Sequence, residues 1–173
     1  YEDLRSQGFL TDAILNYVAL LGWSPKGEKS EQEFFTLEEL AAAFDLAGIS
    51  KSPAIFDLDK LTYFNAHYLR SMNPAAFARA AEPYIRQAVK SSAYDASDIA
   101  ALLQARCERL TDIPEKVDFF DTLPEYSAEL YTNKKSKTDA AVSLTMLEKV
   151  RPVLSALPDW GQDSIHDALV GLA

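Results

Sequence analysis

The sequence is poor in the residues that build cysteine- and histidine-dependent sites. Its 173 residues include one cysteine, Cys107, and two histidines, His67 and His166. A single cysteine cannot form an internal disulfide, and it fits a reducing compartment. The histidines lie far apart in sequence, and neither has partners at the spacing of a zinc site. These shortages argue against a disulfide-stabilised domain and a zinc enzyme.

Long apolar runs and catalytic motifs are also missing. No run approaches the roughly 18–20 residues that span a bilayer. A phosphate-binding loop, a G-x-S-x-G motif and an H-E-x-x-H motif are absent, so no active site is visible. Tyr1-Glu2-Asp3 includes neither an initiating methionine nor the basic region of a signal peptide. We therefore expect a chain without membrane contact whose start lies inside a longer protein.

Basic charge is in short supply. The formal net charge is −9, and both residues 1–72 and residues 73–173 carry more acidic than basic side chains. Proteins that bind nucleic acid over a broad surface are usually basic. Any RNA contact must therefore come from a local cluster or from a larger protein that supplies the positive field.

The pattern that remains is helical. Six glycines, scarce β-branched alternation and apolar residues at three- and four-residue spacing predict an all-α protein. Gly22 is placed to end one helix, Thr36 and Glu39 form a capping box, and Asp57 caps another helix. Asn73-Pro74 marks a fresh start and our predicted boundary between domains 1–72 and 73–173. Further helices are predicted from Pro74 to about Lys90, Asp98 to about Leu110, near Pro114, Thr138 to Leu157, and Ser164 to Leu172.

Apolar periodicity predicts which helix faces are buried. The expected buried positions are Ile14, Leu15, Val18 and Leu21, then Leu37, Leu40, Ala41 and Phe44, then Leu58, Leu61, Phe64 and Tyr68 or Ala66. Aromatic side chains can also stack on RNA bases. The spacing favours core packing for Phe64 and Tyr68 and leaves Tyr63 open.

The candidate RNA contacts are basic side chains, namely Arg106, Arg109, Lys51, Lys60 and Arg70. Arg106 and Arg109 are three residues apart, and on one helix they would project from a single face. Guanidinium groups suit contacts with bases and phosphates. The alternative is an ordinary solvated or salt-bridged surface, with Glu108 and Asp112 close in sequence, and spacing alone favours that alternative.

Three stretches carry a resemblance to a known family. They are Ala13-Ile14-Leu15-Asn16-Tyr17 with Leu21-Gly22-Trp23-Ser24, then Ser50-Lys51, Phe56-Asp57, Lys60-Leu61 and Asn65, and finally Arg106, Leu110, Pro114-Glu115-Lys116 and Phe119-Phe120. Together they resemble bacterial glutamyl-tRNA synthetases, which are class I aminoacyl-tRNA synthetases. Asp12 departs from a usual proline and Tyr63 from a usual tryptophan. The resemblance is specific over the first 70 residues or so and loose over the last 60 or so.

The resemblance implies a helical stem-contact domain at 1–72, followed by an incomplete α-helical anticodon-binding domain at 73–173. Arg106 would contact an anticodon base, and Lys51, Lys60 and Arg70 would be weaker candidates for backbone contacts. The intact cytoplasmic enzyme would ligate glutamate to tRNA(Glu) with ATP and Mg²⁺. Its catalytic domain would precede Tyr1, so this chain would hold no catalytic residue, cofactor or metal. No oligomer is implied.

A second interpretation stays open. The chain could be a non-catalytic helical protein-interaction module that keeps the scaffold without binding RNA. Its acidic balance supports this alternative. The two interpretations differ on whether Arg106 and Arg109 lie exposed in a basic patch or are paired with acids.

Overall fold

The computed structural model describes residues 1–172 and confirms the predicted all-α class. The helices are α1 (Glu2–Ser6), α2 (Thr11–Gly22), α3 (Leu37–Ala43), α4 (Leu58–Ser71), α5 (Pro74–Ala88), α6 (Ala96–Leu103), α7 (Ile113–Val117), α8 (Ala140–Ser155) and α9 (Gln162–Val170). β-type pairing within the described residues consists of two isolated bridges, Trp23 with Ile49 and Asn133 with Thr138.

Helix starts and ends follow the capping signals in the sequence. The Thr36 hydroxyl accepts the Glu39 amide at 3.2 Å, and the Glu39 carboxylate accepts the Thr36 amide at 2.8 Å. Asp57 caps α4 by accepting the amides of its first turn, and Asn73 caps α5 with Pro74 at the first helical position. Helix α2 ends at Gly22. Local hydrogen bonding therefore sets these boundaries, as predicted.

The buried face of α2 differs from the prediction. Leu15 and Val18 are exposed, whereas Asn16 and Tyr17 are buried. The Asn16 Oδ1 atom accepts the Phe35 amide at 2.9 Å, and the Tyr17 hydroxyl accepts the Asp57 amide at 2.7 Å. These two oxygen atoms are buried with partners, as most buried polar atoms are, whereas the Asn16 Nδ2 atom is buried without one among the described residues. The apolar pattern could not reveal those distant partners.

In helices α3 and α4, too, the apolar pattern predicted the buried positions only in part. In α3 only Leu40 is buried, and Leu37, Ala41 and Phe44 are exposed because this short helix packs on one side against Trp23 and Phe35. In α4 Leu61, Phe64 and Ala66 are buried as predicted, but Leu58 is exposed. Tyr68 is half-buried, and Tyr63 is 52% exposed.

Contacts divide the chain into two compact units, Tyr1–Leu123 and Pro124–Ala173. In the first unit, α5, α6 and α7 surround a core that includes Phe77, Ile85 and Ile113. In the second, α8 contacts α9, and no described residue from 124 to 172 is buried. The predicted boundary between 72 and 73 falls inside the first unit and stays a prediction.

Candidate nucleic-acid interface

Arg106 lies at the end of a short 3-10 turn, Gln104–Arg106, that directly follows α6. The predicted helix from Asp98 to about Leu110 is therefore too long, because α6 ends at Leu103. Arg106 is exposed. Among the side chains that the structure describes, the ion pairs are Arg5–Glu2, Lys60–Glu33 and Arg109–Asp112, and Arg106 takes part in none of them. Its guanidinium is free to meet a ligand.

A groove of about 370 Å³ lies beside Arg106. Its polar side chains are Arg106 and Lys116, and its walls are the apolar residues Ile99, Leu102, Leu103, Val117, Phe119 and Phe120. No carboxylate lines it, although the chain carries a net charge of −9. We call these eight residues the Arg106 groove. It is a locally cationic, apolar surface on an acidic chain.

The groove also offers an exposed aromatic face. Phe119 is 52% exposed and stacks on Phe120 with ring centroids 4.8 Å apart. Phe120 in turn meets Tyr94 edge-to-face at 5.2 Å, which holds the pair in place. Leu102 is 68% exposed. A flat ring entering the groove would meet apolar carbon, with cationic groups beside it.

Arg109 does not share a helix with Arg106, which corrects the prediction of a common face. It precedes the 3-10 turn Leu110–Asp112, and its guanidinium pairs with Asp112 at 3.0 Å. The Asp112 carboxylate also accepts the Arg109 amide at 3.1 Å. Arg109 thus closes a local turn. Its charge is largely committed to Asp112.

Lys60 is also paired. Its ammonium lies 2.5 Å from the Glu33 carboxylate and above the rings of Tyr63 and Phe64 at 5.7 and 5.4 Å. It borders a separate groove with Tyr17, Leu21 and Ile55. Because Glu33 neutralises it, Lys60 is a weaker candidate for a phosphate contact than its sequence position suggests.

Lys51 and Arg70 are exposed and belong to none of the ion pairs found among the described side chains. Lys51 lies in the loop before α4, and Arg70 lies in the last turn of α4. Arg70 borders a polar groove with Tyr63, whose ring is half exposed, and with Glu108. Both remain candidates. The structure brings neither of them into the groove that contains Arg106.

Lys116 and Phe119 were missed as candidates. Their only signal in the sequence was that they matched a family pattern beside Arg106. Lys116 lies in the short helix α7, and Phe119 lies just beyond it. They line the groove together with residues of α6 and with Arg106, which the fold brings beside them. Spacing along a single helix could not have shown this.

Two negative findings concern other kinds of site. Among the side chains that the structure describes, no group of three or more histidine, cysteine, aspartate or glutamate residues could hold a metal ion. Across the same residues, no helix is both long enough and apolar enough to cross a membrane.

Comparison with known proteins supports the sequence resemblance. A family described as "Anticodon binding domain" matches residues 76–173, more than half of the chain. A second family, "tRNA synthetases class I (E and Q), catalytic domain", matches residues 1–63. The two family matches follow one another along the chain, and residues 64–75 between them belong to neither match.

Relatives and solved structures agree with the family matches. Glutamate–tRNA ligase of Clostridium tetani is 45% identical over 99% of this chain and 34% of its own length, and that of Clostridium acetobutylicum is 41% identical over 98% and 34%. A solved glutamate tRNA ligase from Elizabethkingia meningosepticum superposes with a TM-score of 0.76 at 27% identity, covering 98% of this chain and 32% of that one. The chain thus spans about a third of these relatives. It belongs to the anticodon binding domain family, as a relative of glutamate–tRNA ligases.

Proposed function

We propose that this chain is the tRNA-binding part of a glutamate–tRNA ligase and that the Arg106 groove receives an unpaired anticodon base of tRNA(Glu). The observation that carries the proposal is the groove itself. It places two cations and an exposed aromatic ring together, with no carboxylate, on a chain of net charge −9.

The chemistry of single-stranded RNA fits this surface. Proteins that read unpaired bases stack them on aromatic or apolar side chains and bind their edges through hydrogen bonds. Phe119 supplies the ring, and Arg106 supplies planar donors that match a base edge. Lys116 adds a point charge suited to the neighbouring phosphate. Stacking of one base on such a ring typically contributes about 1–3 kcal/mol.

The stem-contact role of residues 1–72 belongs to the same proposal. Of its three candidate cations, Lys51 and Arg70 are exposed and belong to none of the ion pairs found among the described side chains, and Lys60 contributes less because Glu33 pairs with it. These contacts would reach the RNA backbone and hold the tRNA without reading its sequence. The anticodon-binding role falls to residues 73–173.

The reaction proposed for the intact enzyme is ATP-dependent ligation of glutamate to tRNA(Glu) in the cytoplasm, with Mg²⁺. The described residues do not fit ATP or Mg²⁺, because they offer no metal-ligand cluster and no phosphate-binding loop. Residues 1–63 match only a segment of the catalytic-domain family, and the remainder of that domain in the intact enzyme would hold both. This chain's own contribution is to bind and orient the tRNA.

A titration with tRNA tests the proposal. We expect an unmodified tRNA(Glu) transcript to bind at low salt and Arg106→Ala to weaken binding about tenfold, the loss typical of a guanidinium–base contact. Arg79→Ala is the matched control, since Arg79 is an exposed arginine on α5 that lies outside the groove. A transcript with an altered anticodon should reproduce the Arg106→Ala loss in the unmodified protein.

The alternative is a protein-interaction module that has lost RNA binding. The net charge of −9 and the paired states of Lys60 and Arg109 favour it. This alternative predicts that the unmodified protein, Arg106→Ala and Arg79→Ala all bind tRNA equally weakly. That result would overturn the proposed function.

A further inference from the structure

The turn that carries Arg106 is fastened to helix α4 on both sides. Two residues before Arg106, the Gln104 amide nitrogen donates to the carbonyl oxygens of Leu69 and Met72 at 3.0 and 2.7 Å. Two residues after it, the Glu108 carbonyl oxygen accepts the Asn65 amide nitrogen at 2.5 Å. Arg106 therefore lies midway between two attachments to α4.

Asn65 joins a third segment to this arrangement. Its side chain is completely buried, and its Oδ1 atom accepts the Leu10 amide at 2.7 Å. One amide group thus links the start of α2, the middle of α4 and the turn after Arg106. Both of its hydrogen-bonding ends are occupied by backbone groups, and because the Asn65 side chain is completely buried, loss of these bonds is costly.

Two further hydrogen bonds join the segment before α2 to residues that follow the Arg106 turn. The Gly8 carbonyl oxygen accepts the Leu110 amide at 3.2 Å, and the Thr111 hydroxyl donates to the Gln7 carbonyl oxygen at 2.8 Å. Gly8 has φ +85°, and a Cβ there would lie 2.7 Å from the Thr111 nitrogen. Only glycine permits this approach. Residues 104–111 are therefore held against both α4 and the segment before α2.

We propose that Asn65 and Gln104 are positioning residues: they clamp the Arg106 turn to α4 and so set where Arg106 meets RNA relative to Arg70 on that helix. This inference rests on the proposed RNA-binding function. The clamp residue Asn65, with Leu69 and Met72, lies in residues 64–75, between the two family matches. The clamp therefore fixes the spacing between Arg106, in the anticodon-binding match, and Arg70, in the stretch before that match.

The reactivity of the Cys107 thiol can report whether the clamp is closed or open. It lies between Arg106 and Glu108, is completely buried and is the only cysteine in the chain. A thiol reagent reaches it only when the turn opens or the protein unfolds. Labelling that needs global unfolding accelerates steeply with urea, whereas labelling through a local opening is nearly independent of urea at low concentration.

The first experiment measures Cys107 labelling in the 173-residue chain without RNA. We expect Asn65→Ala to raise the urea-independent rate about tenfold, as loss of a buried hydrogen bond favours opening. Gln104→Met, a similar shape without the donor, should act likewise and is the second variant if Asn65→Ala folds poorly. Asn16→Ala is the matched control, because Asn16 is another completely buried amide but bonds Phe35 and Tyr68 instead. Equal urea-independent rates in all four proteins would overturn the clamp.

The second experiment is a double-mutant cycle in tRNA binding. We expect Arg106→Ala to weaken binding about tenfold in the unmodified protein and less than about threefold in the Gln104→Met background, where Arg106 is no longer positioned. A full Arg106→Ala loss in that background, despite faster labelling, would show that the clamp does not position Arg106. If Arg106→Ala has no effect in the unmodified protein, the positioning role fails together with the proposed function, whereas the labelling result reports separately on the clamp.

Discussion

The indole ring of Trp23 occupies the space in which a side chain at residue 48 would begin. A Cβ on Gly48 would lie 2.5 Å from the Trp23 Nε1 atom and 2.7 Å from the Ser24 carbonyl oxygen. The same Nε1 donates to the Asp45 carbonyl oxygen at 3.0 Å, so the ring cannot turn away freely. This contact joins the end of α2 to the loop that contains Lys51.

Gly48→Ala should therefore destabilise the protein by about 2 kcal/mol or more, the cost of forcing an atom into a packed site that includes backbone. Gly22→Ala is the control, because nothing lies within 4 Å of a Cβ there and Gly22 is the last residue of α2. Alanine should stabilise that site by about 0.5–1 kcal/mol. Urea unfolding measures both, and equal stabilities would contradict the close contact.

Removal of the α3 capping box should cost a smaller amount. Thr36→Ala deletes the acceptor for the Glu39 amide and should lower the free energy of unfolding by about 1 kcal/mol. Thr36→Ser keeps the hydroxyl and should restore most of the loss. If the serine and alanine variants unfold at the same urea concentration, the cap does not stabilise the protein.

Asp95 should contribute a pH dependence to stability. Hydrogen bonds from the backbone and side chain of Ser97 hold the pKa of this carboxyl below its usual value. Its contribution is complete above the unfolded-state pKa of about 3.9. It is lost as the pH falls from there through the lower folded-state pKa, because the unfolded chain binds the proton more readily.

The comparison for this effect is Asp95→Ser, which keeps a capping oxygen at the start of α6 but does not titrate. The stability of the unmodified protein should fall more steeply than that of Asp95→Ser over this acid range. Chemical unfolding at a series of pH values measures both slopes. Parallel curves would show that Asp95 has the same pKa in both states.

Lys116 and Lys60 should differ in how they affect the salt dependence of tRNA binding. Lys116→Met removes an unpaired groove cation and should reduce the slope of log K against log salt by about 0.7, the value for one phosphate contact on a single strand. Lys60→Met removes a charge that Glu33 already neutralises, so its slope should change less. Equal slopes for the two variants would place Lys116 outside the RNA contact.

The sequence predicted those parts of the fold that depend on short-range hydrogen bonds. Thr36, Asp57 and Asn73 cap their helices as expected because a cap and its amides lie within three residues. The predicted length of α6 was wrong, because the helix ends at Leu103 and not near Leu110. The turn after Leu103 is stabilised by Gln104 and Asn65 through contacts with residues 32 or more positions away, and a local pattern carries no trace of those contacts.

The sequence also predicted part of the candidate site. Arg106 is exposed and unpaired, which agrees with the proposed role, but the role itself stays a prediction. Arg109 pairs with Asp112, which is the kind of contact that the salt-bridged alternative expects, and its RNA-binding role stays a prediction. Lys116 and Phe119 became visible only because the fold places them in one groove with α6 and Arg106.

The clamp on helix α4 also limits which members of this family could be recombined into chimeric proteins. A chimera that joined residues 1–75 of one relative to residues 76–173 of another would keep every backbone partner of the clamp, since main-chain carbonyl and amide groups are present in any parent. The Asn65 and Gln104 side chains are different, because a parent can lack either one. Productive recombination near residues 64–75 would therefore be restricted to parents that retain both amides.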